Sequence, residues 1–356
     1  MPGFLYQRTP HACIELINLR KMRRFERIHD VVEPVEEYRA GGYHPVHLGD
    51  TFNHRYRIVG KWAFGQSSTV WIAQDTRLER YVTLKILKAI ASSNSRERSH
   101  PGKKHVLRLL DQFEHEGPNG SHLCLVFSVM MSDGQAMTIR EKPRYSGYVR
   151  EISKQILLGL NLQPANILFT LGSDLSDRMI AEPEFSAVHW LPGVKIDNSA
   201  PRYLISSQRP RGMLDNADFS TLLVKIGDMG GAMWNTQNDS LPVTPMALRA
   251  PELLQPTSSS WNEKVDIWAL GCLPIFPIES FGCTADEVRE ILQSRMHELF
   301  EHGSQAFAFD LGERLPTDFG KENSEKLADF LWSALQECPE DREPASGLLN
   351  HPFLVG

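Results

Sequence analysis

The chain has 356 residues, 41% hydrophobic and 23% charged, which is enough for one large domain or two lobes around a sizeable core and excludes a disordered chain. Its formal net charge of −6 argues against general nucleic-acid binding and suits a basic protein partner, and no run of about 18 apolar residues is present to cross a membrane. Five scattered cysteines (Cys13, Cys124, Cys272, Cys283 and Cys338) without a CxxC pair fit free thiols in a reducing compartment, and no HxxxH or HExxH spacing pairs two histidines, so a zinc site is not expected.

Residues 1–40 read as a solvated N-terminal extension with a basic stretch from Arg20 to Arg27, rather than as a transit peptide. Gly41-Gly42 then breaks the chain. From Arg55 the pattern alternates, and Tyr56, Ile58, Val70 and Ile72 predict two strands. Between them Gly60 to Val70 (GKWAFGQSSTV) is rich in small residues, and the backbone amides of such a turn can approach phosphates. It is not a Walker A loop, because Gln66 follows Gly65 where lysine is required. Next, Tyr81 to Leu87 (YVTLKIL) places Lys85 inside an apolar strand. A buried ammonium is costly without a partner, so Lys85 is either an edge-strand residue or an anion ligand, and its spacing from the small-residue turn favours the ligand.

Two later stretches each put one polar residue beside an apolar run: Asn166 in Leu160–Phe169 (LNLQPANILF) and Asp228 in Val224–Trp234 (VKIGDMGGAMW). An amide oxygen and a carboxylate projected to one point suit Mg²⁺ and phosphate; two core strands with polar ends is the plainer alternative. After them come Arg249-Ala250-Pro251-Glu252, the helix-like Val265 to Cys272 and Asp341-Arg342.

These elements stand in the order used by eukaryotic protein kinases. GGYHPVHLGD before the first strand, STVW in the turn, LLDQFEHEGPNGSHLCLVF, KIGDMGGAMW and LRAPELL resemble the SR-protein kinases in their fungal form, and the resemblance covers roughly residues 41–354. It implies an α+β, two-lobed protein kinase fold: an extension over 1–40, a small lobe and hinge over 41–130, and a large lobe over 131–354 with a family-type insert at about 170–220. It also implies an ATP- and Mg²⁺-dependent serine/threonine kinase that phosphorylates Arg/Ser-rich proteins. Such an enzyme would act in splicing regulation, be cytoplasmic or nuclear, and work as a monomer without direct nucleic-acid or membrane contact.

By the same resemblance, Ala63, Gly65, Ser67, Ser68 and Val70 would cover ATP, and Lys85 would hold its α- and β-phosphates. Phe127 would be the gatekeeper, and the backbone of Ser128, Val129 and Met130 would meet adenine. Asn166 and Asp228 would ligate Mg²⁺. Glu252, Arg342 and Asp266 would be structural, Glu252 pairing with Arg342.

The sequence also departs from the kinase pattern. The HxD triplet of the catalytic loop is missing: Gln155 to Leu160 runs straight into Asn161-Leu162-Gln163-Pro164-Ala165-Asn166, and Asn161 stands where the catalytic Asp belongs. Residues 89–105 (AIASSNSRERSHPGKKH) do not hold the full helix that supplies the glutamate partner of Lys85, and Glu97 is the one carboxylate in that stretch. Pro274 and Pro277 interrupt the segment after Cys272. Internal deletions of this kind fit an incomplete coding sequence or a pseudokinase acting as a scaffold. In the other direction, the insert, with Pro183, Pro192, Pro201 and Pro210, reads as largely loop, either a docking or localisation segment or a neutral surface excursion.

Overall fold

A computed structural model of the chain describes residues 23–89, 105–133, 146–159, 167–170, 180–209, 222–227, 244, 246–254, 261–272 and 285–356. They fall into two compact units. The first takes the described residues within Met1–Ser95, Leu109–Val129 and Asp174–Pro210; the second takes those within Arg96–Arg108, Met130–Ser173 and Arg211–Gly356.

The first unit is built on an antiparallel six-stranded sheet. Its strands are β1 (Thr51–Phe52), β2 (Tyr56–Gly65), β3 (Ser68–Asp75), β4 (Arg80–Leu87), β5 (Leu109–Gly117) and β6 (Gly120–Phe127), in the spatial order β1-β2-β3-β4-β6-β5. Alternation along β3 and β4 feeds two faces. Tyr56, Ile58, Trp71, Ala73, Val82, Leu84, Ile86, Cys124 and Val126 pack on one, and Trp62 and Ile72 with Val59, Val70, Tyr81 and Val129 on the other. Irregularities between Ile58 and Gly60 and between Lys61 and Ala63 shift the register of β2 against β3, so β2 serves both faces.

The expectations for residues 1–40 and for the insert are both corrected by this unit. Residues 23–40 are not a solvated extension where described: Phe25 and Tyr38 are each 1% exposed. The chain turns back at a short 3₁₀ helix, Val35–Glu37, and Gly42 then passes so close to the Glu37 and Arg39 carbonyls that a Cβ would not fit. The described part of the insert is neither a surface excursion nor part of the second unit. It forms a hairpin, β9 (Phe185–Ala187) with β10 (Tyr203–Ile205), that packs on the six-stranded sheet. Ile205 enters the sheet's main core, Leu204 packs with Tyr38 and Tyr43, and Ile180 packs against the Trp62–Ile72 face. Leu204 and Ile205 of the insert find their burial there, and the N-terminal segment is tied to the insert by Phe25 against Trp190 and by backbone bonds from Glu26 to His189 and from Leu191 to Arg24.

The second unit is mainly helical. It contains α1 (Ser146–Gly159), α2 (Pro251–Leu254), α3 (Lys264–Cys272), α4 (Ala285–Arg314, broken at Gly303, φ 74°), α5 (Lys321–Ala334), α6 (Ala345–Leu348) and α7 (Pro352–Val355). Beside them lies a small sheet of β7 (Ser132–Asp133), β8 (Ile167–Thr170) and β11 (Leu223–Ile226), in the order β11-β8-β7. In α3, Val265 and every residue from Ile267 to Cys272 are buried, which makes it the apolar centre of this unit. Pro274 and Pro277 lie outside the described residues. Gln155 of α1 ties the helix to the sheet: its amide oxygen accepts from Val224 N at 2.8 Å and its amide nitrogen donates to Leu222 O at 3.1 Å.

Candidate active site

In the first unit, the residues singled out for ATP share one face of the sheet. Strand register pairs Ala63 with Val70, Val70 with Lys85, and Lys85 with Leu125. Cross-strand partners project to the same side, so Ala63, Val70 and Lys85 form one row across β2, β3 and β4. The next row on that side holds Ile72, Thr83 and Phe127. Lys85 is half-buried on β4, which lies between β3 and β6. It is therefore no edge-strand residue, and of the two readings the sequence left open that one falls.

The turn over this row is exposed at Gly65, Gln66 and Ser67, whereas Ser68 is buried at 6%. Gly65 pairs with Ser68, so β2 and β3 are joined by the two residues Gln66 and Ser67. A Cβ built on Gly65 would meet nothing within 4 Å and its φ is not positive, so neither packing nor backbone conformation requires glycine there. The missing side chain leaves open space over a backbone that a ligand can approach.

At the far end of the sheet, Thr83 Oγ1 donates to the carbonyls of Phe127 and Ser128 at 3.3 Å each and fixes the exit of β6. The chain passes from the first unit to the second between Val129 and Met130, inside the expected hinge of Ser128–Met130. Ser128 is exposed, Val129 packs on the Trp62–Ile72 face and Met130 is 5% exposed.

In the second unit, β8 and β11 pair antiparallel, and their ladder runs from Leu223↔Thr170 to Ile226↔Ile167. Asn166 directly precedes Ile167 in sequence and Asp228 follows Ile226 by two residues. Both Asn166 and Asp228, like Asn161, Gln163 and Glu97, lie outside the described residues. Their donor set of an amide oxygen and a carboxylate fits a hard cation such as Mg²⁺.

The structure brings Glu252 and Arg342 together. Arg342 donates to Glu252 Oε1 and Oε2 at 2.7 Å each, and also to the carbonyls of Gln336 (2.8 Å), Lys264 (3.1 Å) and Glu337 (3.2 Å). Its guanidinium carbon lies 5.2 Å from the Trp268 ring centroid. The Arg342 side chain is fully buried and that of Glu252 is 11% exposed. Such a pair holds only because every donor is satisfied, and removing one partner costs about 3–5 kcal/mol. Asp266 begins α3, and burial pushes its carboxyl up to about 6.

Three features escaped the sequence reading: Tyr43, whose hydroxyl reaches the turn at Gly65; the buried Lys61–Glu33 ion pair, roofed by Trp71 with Nζ 4.0 Å from its centroid; and Gln208, which zips onto β2. Gln208 Oε1 accepts from Lys61 N at 2.7 Å and its own N–H donates to Lys61 O at 2.8 Å. Only the lone lysine in the run VGKWAF hinted at any of them.

The profile of the protein kinase domain matches residues 213–354. Protein kinase dsk1 of Schizosaccharomyces pombe is 34% identical over 472 aligned positions, covering 92% of this chain and 86% of that protein. The chain belongs to the protein kinase family, in its SR-protein kinase branch. Serine/threonine-protein kinase SRPK of Physarum polycephalum is 27% identical over 409 positions, covering 91% of each chain. SRSF protein kinase 3 of Homo sapiens is 30% identical over 211 positions, covering 49% of this chain and 36% of that protein. A crystal structure of a kinase domain superposes with a TM-score of 0.53 over 88% of this chain and 98% of its own, at 16% identity, so the fold is shared.

By family this protein is a serine/threonine kinase with the two-lobed kinase fold, and protein kinases use ATP with Mg²⁺. The first unit is the small lobe and the second the large lobe. The alignment with dsk1 is longer than the 356 residues of this kinase, so dsk1 carries segments absent here.

Proposed function

We propose that this kinase transfers the γ-phosphoryl group of ATP to serines of Arg/Ser-rich proteins. The observation that carries the nucleotide reading is the row of Ala63, Val70 and Lys85 across three adjacent strands, under a turn whose glycine the fold itself does not need. On this reading Lys85 neutralises and aligns the α- and β-phosphates. The amides between Gly65 and Ser68 cover them, Phe127 closes the back of the adenine site, and the backbone from Ser128 to Met130 bonds the base. Asn166 and Asp228 would hold Mg²⁺, which would supply neutralisation of phosphate charge when bound. A net charge of −6 suits a substrate rich in arginine, by steering and by complementarity. The chain acts as a monomer in the cytoplasm, the nucleus or both, in the regulation of splicing.

One observation favours a second reading in which transfer is impaired. Asn161 stands at the base position, and an amide accepts a hydrogen bond from the substrate hydroxyl without taking its proton. Loss of a general base costs on the order of 10²–10⁴ in rate while leaving positioning and Mg²⁺ contacts in place.

The test is a thermal-shift titration with Mg·ATP followed by phosphate transfer to an Arg/Ser peptide. Saturable stabilisation of about 2.7 kcal/mol at 100 times the dissociation constant is expected, and Lys85→Met should abolish it. A cooperative melt indifferent to nucleotide would overturn the ATP reading. Nucleotide binding without transfer, with turnover gained in Asn161→Asp, would establish the impaired form.

A further inference from the structure

The turn between β2 and β3 is exposed, and an exposed two-residue turn at a sheet end ordinarily frays. Here it is held from both sides. The Tyr43 hydroxyl donates to Gly65 O at 2.7 Å and lies 3.5 Å from Gln66 O, and the Lys88 amide donates to Ser67 O at 2.9 Å. Tyr43 and Lys88 are themselves locked together: Lys88 Nζ sits 4.4 Å from the Tyr43 ring centroid and pairs with Glu37 Oε2 at 2.7 Å, while the Tyr43 amide donates to Glu37 O at 2.9 Å. Behind the ring, Tyr38 packs edge-on at 5.6 Å, and the Tyr43 carbonyl accepts from Asn119 Nδ2 at 2.6 Å. The hydroxyl is a dependable donor, because burial, with Glu37 and Glu33 nearby, pushes it up to about 12.

We propose that Tyr43 is a positioning residue for nucleotide binding: through the Gly65 carbonyl it holds the β2–β3 turn in the shape that presents backbone amides to the phosphates. This rests on the nucleotide reading above. Amides stabilise an anion fully only when they are already aimed at it, and a turn free to fray must be ordered at the moment of binding. The segment before the first strand thereby reaches the phosphate site without touching ATP.

The experiment compares wild type with Tyr43→Phe, which keeps the ring and its contacts with Lys88 and Tyr38 and removes one O–H. Hydrogen exchange at the amides of Gln66, Ser67 and Ser68 should quicken about 3- to 10-fold, the worth of one hydrogen bond. Mg·ATP affinity, read by calorimetry, should weaken by a similar factor. Adenosine affinity, read by ligand-observed NMR, should stay unchanged, because adenosine has no phosphates for the turn to meet. A merely structural role would weaken both ligands alike and overturn the proposal, as would unchanged Mg·ATP affinity. If wild type itself binds no Mg·ATP, the nucleotide reading fails and the role falls with it, an outcome visible before any variant is made. Should Tyr43→Phe not fold, Glu37→Gln loosens the same clamp through Lys88 and should show the same split between ATP and adenosine; its absence would sink the idea.

Discussion

At Asp266 a carboxylate sits at the start of α3, a helix whose remaining turns are almost wholly buried, and among the described residues no cation pairs with it. Burial raises its folded-state pKa to about 6 against an ordinary 3.8, so the folded state binds the proton more tightly than the unfolded chain. The associated stability is therefore fully present below about pH 3.8 and is lost as the pH rises through 6. Asp266→Asn removes the charge and should stabilise the protein by about 1–3 kcal/mol at pH 7, with the gain vanishing near pH 4. Urea denaturation of both proteins at the two pH values checks this; an equal difference at both would show that the charge is not the cause. Arg342 illustrates the opposite outcome at the same scale, a buried charge whose donors are all met. Both positions were singled out from the sequence, but only coordinates show which of the two charges is balanced.

On β2 the lesson concerns a strand edge. β1 covers only its first residues, and an uncovered edge invites unwanted pairing. Gln208 covers Lys61, the Ser207 hydroxyl donates to Trp62 O, and Tyr43 covers Gly65. Beneath the strand, the Lys61 ammonium and Glu33 are 0% and 1% exposed as side chains, and burial depresses the lysine's pKa while Glu33 opposes that shift. Glu33 Oε1 also accepts from the Tyr38 hydroxyl at 2.6 Å, whereas Oε2 is buried with no hydrogen-bond partner among the described residues. Glu33→Ala should cost about 3–5 kcal/mol, because it strands the Lys61 charge. The double substitution Glu33→Leu with Lys61→Met should recover most of that, since a half-satisfied buried pair is worth little against apolar packing. A double-mutant cycle in urea decides it; additive losses would mean that the two groups do not depend on each other.

For the molecule as a whole, the insert is part of the small lobe's structure where it is described. It contributes Ile205 to the main core, Leu204 to the Tyr38–Tyr43 cluster and Gln208 to the β2 edge. Each buried aliphatic side chain is worth about 1.5–3 kcal/mol, and the hydrogen bonds add to that. Replacing residues 180–209 with a Gly/Ser linker should therefore lower the melting temperature by roughly 10–20 °C at about 2–4 °C per kcal/mol. A melt unchanged within a few degrees would restore the reading of the insert as a neutral excursion.

The sequence by itself determined the family, the two-lobed fold and the order of the candidate site. Residues such as Lys85, Asn166 and Asp228 belong to short motifs, in which local spacing and residue type carry the information. It also exposed the missing HxD triplet, because the absence of a short motif is visible in the letters. What only the tertiary structure decided was where the long segments go. Lys61 and Gln208 are 147 positions apart, and Asn119 and Ser199 are 80 apart, with nothing periodic between them. Partners that distant are selected by shape, by the need to bury apolar side chains and by the need to satisfy an exposed strand edge. Those conditions arise only once the sheet has formed.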